Sequence, residues 1–244
     1  MSELTYAELV RELFPRLSGG IRWGLERTER LLAVAGNPHR SYHTIHVGGT
    51  NGKGSVAAMT ASVLREAGFR TGLYSSPHLC TFRERIQIDG EPIAEGALVA
   101  AASPLWKDIR VENPSFFEAT TAIAFQALAE AGVDIAVIEV GLGGRLDATN
   151  VIEPSVTVIT NVSLDHVQLL GSTLTAVARE KAGILKAGVP AVTAELEAEP
   201  LSTLLARARE VGSPLHLLER TDVEDVTTGR SGTSLLVRTE RWNW

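Results

Sequence analysis

Cysteine is nearly absent from this sequence of 244 residues, in which Cys80 is the single example. One cysteine cannot form a disulfide within the chain, and its scarcity suits a reducing cytoplasm. Long apolar runs are also missing: none approaches the ~20 residues that span a membrane, and residues 1–20 mix charged and apolar side chains, unlike a signal peptide. We therefore expect a cytoplasmic protein with no membrane partner, and an incidental or structural thiol at Cys80.

The sequence also has no run of lysine and arginine. It contains 23 Lys and Arg residues against 29 Asp and Glu residues, which gives a formal net charge of −6. This balance argues against a nucleic-acid partner, although it is compatible with a local positive pocket for ATP. The hydrophobic content of 44% supports a substantial core, and the length allows one large domain, or one domain with part of another. We expect a monomer whose partners are small molecules.

The most informative stretch is a glycine-rich loop between an apolar run and a helical pattern. Residues 42–47 predict a strand, residues 56–67 predict a helix, and GTNGKGS lies between them at 49–55. In such a loop, glycines let backbone N–H groups point into a concavity, and the helix start adds a partial positive charge. A polyphosphate can then be held largely by the main chain.

This loop departs from the strict phosphate-loop pattern at two points. Val47 stands where the first glycine should be, and Gly54 separates Lys53 from Ser55. We interpret it as a variant nucleotide loop, with Lys53 reaching the β and γ phosphates, rather than as a Gly-rich turn between two core elements. The candidate nucleotide-binding residues are Gly49, Thr50, Asn51, Gly52, Lys53, Gly54 and Ser55.

Strand and helix patterns alternate along most of the chain. Residues 133–141 are nearly all apolar up to Glu139, which is typical of a strand buried on both faces of a parallel sheet. The alternation predicts an α/β fold, a P-loop NTPase-like parallel sheet flanked by helices, with a short hairpin around Asp89. Residues 223–242 predict a C-terminal antiparallel hairpin. We expect one ATP-binding domain over 1–244, with a helical N-terminal segment (1–40), a phosphate-loop α/β core (41–218) and a terminal hairpin (219–244).

Several polar residues follow predicted strands or lie in the loops after them. Because the carboxyl ends of parallel strands meet at one edge of a sheet, we expect Lys53, Ser76, Glu139, Asp147 and His166 to surround a common crevice. A nucleoside triphosphate needs a divalent cation, and Mg²⁺ prefers oxygen ligands, which Ser76 and Glu139 supply.

The roles of other residues near these positions stay open. His166 is a less usual ligand for Mg²⁺, and it is equally compatible with a loop hydrogen bond. Asp165 is compatible with a strand-end cap or with a partner behind the metal ligands. The spacing around Lys181 predicts a solvated helix lysine. The structural alternative for Phe116 and Phe117 is that they lie on the apolar core face of a helix.

Together these segments resemble the folylpolyglutamate synthase / dihydrofolate synthase family of Mur-type amide ligases. The similarity runs in consistent order from about residue 17 to residue 190. It rests on GTNGKGS at 49–55, SPHL at 76–79, ERI at 84–86, FE at 117–118, EVGLGGRLDATN at 139–150, LDH at 164–166 and EKAGI at 180–184.

The resemblance implies an ATP-dependent ligase that adds L-glutamate to dihydropteroate or to the glutamate tail of a folate, through an acyl phosphate. It implies catalytic roles for Lys53, Glu139, His166 and Lys181, with Mg²⁺ bound by Ser76, Glu139 and His166. Lys181 matches a lysine that is carbamoylated in the family. The segments that match pterin contacts contain Ser115, Phe116, Phe117, Glu118, Leu146, Asp147 and Ala148.

The resemblance also implies a second α/β domain after the ATP-binding domain, which helps to bind ATP and glutamate. The printed chain stops at Trp244, so we expect a Mur-ligase-like ATP-binding domain without that second domain. Such a chain would be a fragment, a truncated product, or one whose partner domain is supplied separately. The alternative function is a nucleotide- or folate-binding module that does not ligate. The choice between dihydropteroate and folylpolyglutamate as acceptor stays open.

Overall fold

The computed structural model describes residues 4–20, 22–218, 223–229 and 232–237. The strands are β1 (His43–Gly48), β2 (Thr71–Tyr74), β3 (Ile86–Ile88), β4 (Glu91–Pro92), β5 (Ile135–Glu139), β6 (Val156–Ile159), β7 (Ala191–Thr193), β8 (Leu215–Leu217), β9 (Val223–Gly229) and β10 (Gly232–Val237). The helices are α1 (Tyr6–Leu13), α2 (Glu26–Val34), α3 (Lys53–Glu66), α4 (Glu95–Glu112), α5 (Phe116–Glu130), α6 (Val167–Leu170), α7 (Leu174–Ala182) and α8 (Ala198–Val211).

Eight of these strands form one sheet, in the order β4-β3-β2-β5-β1-β6-β7-β8. The pairs between β2 and β8 along this order are all parallel, whereas β3 pairs antiparallel with β2 and β4. The predicted parallel sheet flanked by helices is therefore confirmed. The predicted hairpin is confirmed too, and its turn places both Asp89 and Gly90 at positive φ, the backbone twist that a tight hairpin favours.

The apolar run of β5 is buried on both faces because helices cover both sides of the sheet. Ala136 and Ile138 point into a large core shared with α1, α2, α4 and α5. Val137, between them in sequence, points to the opposite face and packs with Val47 and Ala57 beneath α3. This alternation follows the two-residue period of a strand.

The two ends of the chain differ in how they join this body. Leu9 and Leu13 of α1 and Leu31 of α2 are fully buried in the same core as α5, so the N-terminal segment packs directly on the α/β layers. At the other end, β9 and β10 pair antiparallel in a sheet of their own, as predicted. The remainder of the predicted hairpin lies outside the described residues. No helix within the described ranges is both long enough and apolar enough to cross a membrane.

Candidate active site

The carboxyl ends of β1, β2 and β5 open into a cavity of about 470 Å³. The N-terminal segment, the start of α5 and the loop after β5 form its other walls. The lining residues are Arg16, Leu17, Gly20, Arg22, Trp23, Gly24, Lys53, Ser76, Pro77, Arg85, Ser115, Phe116, Phe117, Glu118, Glu139, Gly141, Leu142, Leu146, Asp147 and Ala148.

The first half of the glycine-rich loop is fastened to the segment after β6. The backbone amides of Thr50 and Asn51 donate to the carbonyl oxygen and the Oδ1 atom of Asn161, at 2.8 and 3.0 Å. Gly49 has a φ of +134°, and a Cβ there would collide with the hydroxyl of Thr160. Glycine is therefore required where the loop passes this neighbouring strand end.

The second half of the loop leaves its amides free. Helix α3 begins at Lys53, after Gly52 in the left-handed conformation, and no side chain caps it. Within the described part of the chain, the backbone amides of Lys53, Gly54 and Ser55 donate to no protein atom. Three free donors at a helix start, with the positive end of the helix dipole, form an anion site. The helix begins three residues earlier than the sequence predicts because the end of the loop forms its first turn.

Lys53 and Glu139 both lie at this helix start. The Lys53 Nζ atom donates to the carbonyl oxygen of Thr50 at 3.0 Å, so the side chain folds back over the loop. Glu139 ends β5 opposite Val47 of β1, and a Cβ at Gly54 would lie 3.4 Å from its Oε1 atom. The strand register therefore places a carboxylate directly beside the anion site.

The carboxylate of Glu139 is nearly buried and only partly satisfied. Its Oε2 atom accepts a hydrogen bond from the amide of Ser76 at 3.0 Å, whereas Oε1 accepts none within the described residues. Burial raises the pKa of Glu139, and the Ser76 amide and the charges of Lys53 and Arg85 act in the opposite direction. An oxygen of this kind is suited to a hard cation.

His166 is not among the residues that line the cavity. Its side chain is 54% exposed, and its Nε2 atom lies 3.6 Å from Oδ1 of Asp165. The sequence predicts a strand over residues 156–162, but β6 ends at Ile159, so the chain runs beyond the sheet edge before it reaches His166. The expected common crevice therefore gathers Lys53, Ser76, Glu139 and Asp147, but not His166.

The prediction that Lys181 is a solvated helix lysine is wrong. Only 2% of the residue is exposed, and its Nζ atom donates to the carbonyl oxygen of Gly49 at 2.7 Å. Val177, Ala178, Lys181 and Ala182 form the buried face of α7. Their helical spacing was a signal in the sequence that could have predicted this burial.

The environment of Lys181 lowers the pKa of its ammonium group. Burial is the largest cause, because it disfavours the charged form, and the nearby charge of Lys53 adds to it. Together they lower the pKa of Lys181 to about 8, although Asp165 acts in the opposite direction. A lysine of this kind is partly neutral, and hence nucleophilic, near neutral pH.

Hydrogen bonds fix the carboxylates of the two segments that are expected to contact a pterin. Ser115 caps α5, and the Glu118 carboxylate accepts from the Ser115 amide at 2.7 Å and from Arg27 at 2.8 Å. The Asp147 carboxylate accepts from the amides of Leu142 and Thr149, at 2.8 and 3.0 Å. Burial raises the pKa of Asp147, and these hydrogen bonds oppose that effect.

The two neighbouring phenylalanines differ in burial. Phe116 is 5% exposed and belongs to the main core, which agrees with a helix-face residue, yet its ring also reaches the cavity wall. Phe117 is only partly buried, and a Cβ on Gly141 would collide with its ring. Gly141 therefore leaves the space that the Phe117 ring occupies. Leu146 and Ala148 complete this wall.

Sequence reasoning missed Trp23 and the cationic residues of the cavity other than Lys53. Arg16, Arg22 and Trp23 come from the segment between α1 and α2, and Arg85 comes from the 3-10 helix before β3. Arginine and tryptophan between Gly20 and Gly24 were a weak signal, because such a glycine-flanked loop is free to fold over a neighbouring site.

Comparison with known proteins gives a consistent picture. A family model for the Mur ligase middle domain matches residues 47–198. The folylpolyglutamate synthase of Lacticaseibacillus casei is 44% identical over 221 residues, which cover 86% of this chain and 51% of that protein. The dihydrofolate synthase/folylpolyglutamate synthase of Bacillus subtilis (strain 168) is 41% identical over 210 residues, which cover 83% of this chain and 49% of that protein.

Solved structures agree with these sequence matches. One described as an FPGS-AMPPCP-folate complex superposes with a TM-score of 0.87 at 38% identity, covering 98% of this chain and 60% of that chain. The chain spans about half the length of the curated relatives that it matches.

Proposed function

Since this chain belongs to the Mur ligase family and its relatives are folylpolyglutamate and dihydrofolate synthases, we propose that it serves ATP-dependent ligation of L-glutamate to dihydropteroate or to a folate glutamate tail. The partners in this reaction are all small molecules. One observation carries the proposal. Lys53, the first residue of α3, lines the same cavity as Phe117 and Leu146, so the free amides at the start of α3 lie at the border of a cavity that can hold a nucleotide phosphate and a flat acceptor together.

The proposed reaction has two steps. A carboxylate oxygen of the acceptor attacks the γ-phosphorus of ATP, ADP leaves, and an acyl phosphate forms. The amine of glutamate then attacks the acyl carbon, the amide bond forms, and inorganic phosphate leaves with the oxygen that came from the carboxylate. Lys53 and the amides of Gly54 and Ser55 stabilise the negative charge of the transferring phosphoryl group, because fixed donors at a helix start need no reorganisation.

The residues of the cavity fit a Mg²⁺ ion. Oε1 of Glu139 has a free acceptor position beside the anion site, and Ser76 lies next to the same carboxylate. These oxygens would hold the cation, which when bound would neutralise charge on the β and γ phosphates. The resemblance to the ligase family implies His166 as a third ligand of the cation. That assignment would require the exposed loop after β6 to approach the cavity, because His166 does not line it here.

The proposed acceptor has a planar pterin ring and a negatively charged carboxylate, and the cavity offers groups that can bind each of them. Phe117 presents a partly buried aromatic ring that can pack against a pterin. The segments 115–118 and 146–148 form the surrounding wall. Arg16, Arg22 and Arg85 supply positive charge to the same cavity, which favours an acceptor that carries carboxylates.

We also propose that Lys181 carries a carbamate when CO₂ is present. A carbamate forms only from the neutral amine, and a pKa of about 8 leaves roughly a quarter of the amine neutral at pH 7.5, against ~0.1% for an ordinary lysine. The modification should therefore increase as the pH rises from 7 to 9.

The carbamate is measurable by ¹³C NMR with labelled bicarbonate. We expect a protein-bound carbamate signal that disappears in Lys181→Met and persists in Lys186→Met. Lys186 is a suitable control because burial lowers its pKa as well, yet its Nζ atom donates to the carbonyl oxygen of Asn150 and not to the glycine-rich loop. A signal of equal strength in Lys181→Met would contradict the assignment.

Release of ADP tests the ligase proposal directly. With Mg²⁺ and ATP present, we expect dihydropteroate or a folate to stimulate ADP release, and hydroxylamine to trap the acyl phosphate as a hydroxamate even where glutamate is not used efficiently. Binding of both ligands without stimulated ADP release would instead favour a nucleotide- and folate-binding module.

A further inference from the structure

Arg85 is a buried cation on the wall of the cavity. Only 7% of the residue is exposed, and its Cζ atom lies 5.1 Å from the centroid of the Phe116 ring. Among the residues that the structure describes, Arg85 forms no ion pair, and its one side-chain hydrogen bond comes from Nε. A buried guanidinium without an anionic partner is costly, so the free Nη groups indicate a place for a carboxylate from a ligand.

The imidazole of His78 sets the direction of this guanidinium. The Nε atom of Arg85 donates to Nδ1 of His78 at 2.8 Å. Because arginine is only a donor, Nδ1 must be unprotonated, and the ring is neutral with its proton on Nε2.

The His78 ring is itself held in place from two directions. It forms T-shaped pairs with Phe14 and Phe82, with ring centroids 5.8 and 6.1 Å apart. The loop that carries it is fastened by Glu84, whose carboxylate accepts from the backbone amides of residues 79–81 at 2.7 to 3.3 Å. The acceptor atom Nδ1 therefore has a fixed position before any ligand binds.

We propose that His78 is a positioning residue: as a neutral acceptor it holds Nε of Arg85, so that the two Nη groups bind the acceptor carboxylate that is to be phosphorylated. This proposal rests on the proposed ligase function and names the contact that orients its substrate. With Nε occupied by His78 and the guanidinium face covered by Phe116, the remaining edge of the fork matches a carboxylate bidentately. Glu139 interacts electrostatically with Arg85, and it lines the same cavity as Lys53 of the nucleotide loop.

The test compares two ligands and two variants by titration calorimetry, with Mg²⁺ and a non-hydrolysable ATP analogue present. The ligands are dihydropteroate and the analogue in which a carboxamide replaces its carboxylate. We expect the parent to bind the acid about tenfold more tightly than the amide, since a charge-assisted pair is lost. We expect His78→Leu to weaken the acid about tenfold and to change the amide less than twofold. His78→Asn should restore most of the acid affinity, because its Oδ1 can replace Nδ1 as the acceptor.

The outcomes separate a positioning role from a structural one. Equal losses for acid and amide in His78→Leu, or no loss for either, would overturn the proposal, as would His78→Asn binding the acid no better than His78→Leu. Affinity for the ATP analogue alone should be unchanged in both variants, which controls for folding. A parent that binds neither dihydropteroate nor a folate would overturn the ligase proposal together with this one. If the affinity for dihydropteroate is the same in the parent and in the His78 variants, only the proposed role of His78 is overturned.

Discussion

Lys53→Ala is expected to weaken ATP binding by about 100-fold, or ~3 kcal/mol, while the fold stays intact. Among the described residues, the Lys53 Nζ atom forms one hydrogen bond, to the carbonyl oxygen of Thr50, and this partly exposed residue can bond to water instead when the lysine is removed. With ATP bound, the same ammonium can reach the phosphates beside the free amides of Gly54 and Ser55. Calorimetry with Mg²⁺ and a non-hydrolysable ATP analogue measures the loss.

A matched control separates this effect from a general change in charge. Lys107 is an exposed lysine on α4 and does not line the cavity, so Lys107→Ala should leave ATP affinity unchanged. Thermal unfolding of Lys53→Ala should match that of the parent. Equal ATP affinity in parent and Lys53→Ala would show that the loop is not a nucleotide site.

Glu139→Gln is expected to weaken Mg²⁺-ATP at least about tenfold more than metal-free ATP, because it replaces a hard anionic ligand with a neutral amide. The substitution conserves shape, and the glutamine Oε1 can still accept from the Ser76 amide in place of the carboxylate oxygen. Titrations with and without Mg²⁺ give the two affinities. Because burial raises the pKa of Glu139, a higher pH favours its charged form, and these titrations are best made at pH 8.

The exposed Glu130 on α5 provides the comparison for this measurement. Glu130→Gln removes the same charge far from the loop and should change neither affinity. A uniform loss for both forms of ATP in Glu139→Gln would indicate a distorted loop and would remove Glu139 from the proposed metal site.

The sheet and the phosphate loop could be predicted because their signals are local. A buried apolar strand such as β5 and a glycine-rich turn into α3 can each be recognised from a stretch of about a dozen residues. Helix α6 could not be found in this way, since four residues are too few for an apolar period. The start of α3 was placed too late because Gly54 and Ser55 have turn-like composition but complete a helical first turn.

The rest of the site depends on contacts that are distant in sequence. Lys181 is buried because α7 packs its lysine against Gly49, 132 residues earlier in the chain. Arg22 and Trp23 reach the cavity because α1 and α2 pack on the core beside α5. His166 could not be placed from sequence, because the length of β6 decides how far its loop extends past the sheet edge.

The central claim is that one cavity brings an acceptor carboxylate to the γ-phosphate of ATP. The most direct test is an incubation with ATP, L-glutamate, Mg²⁺ and dihydropteroate whose carboxylate carries ¹⁸O at both oxygens, followed by mass spectrometry of the released phosphate. Attack by the carboxylate predicts one ¹⁸O atom in each phosphate, because the amine expels phosphate together with the former carboxylate oxygen. Acceptor-dependent release of phosphate that contains no ¹⁸O would contradict the claim.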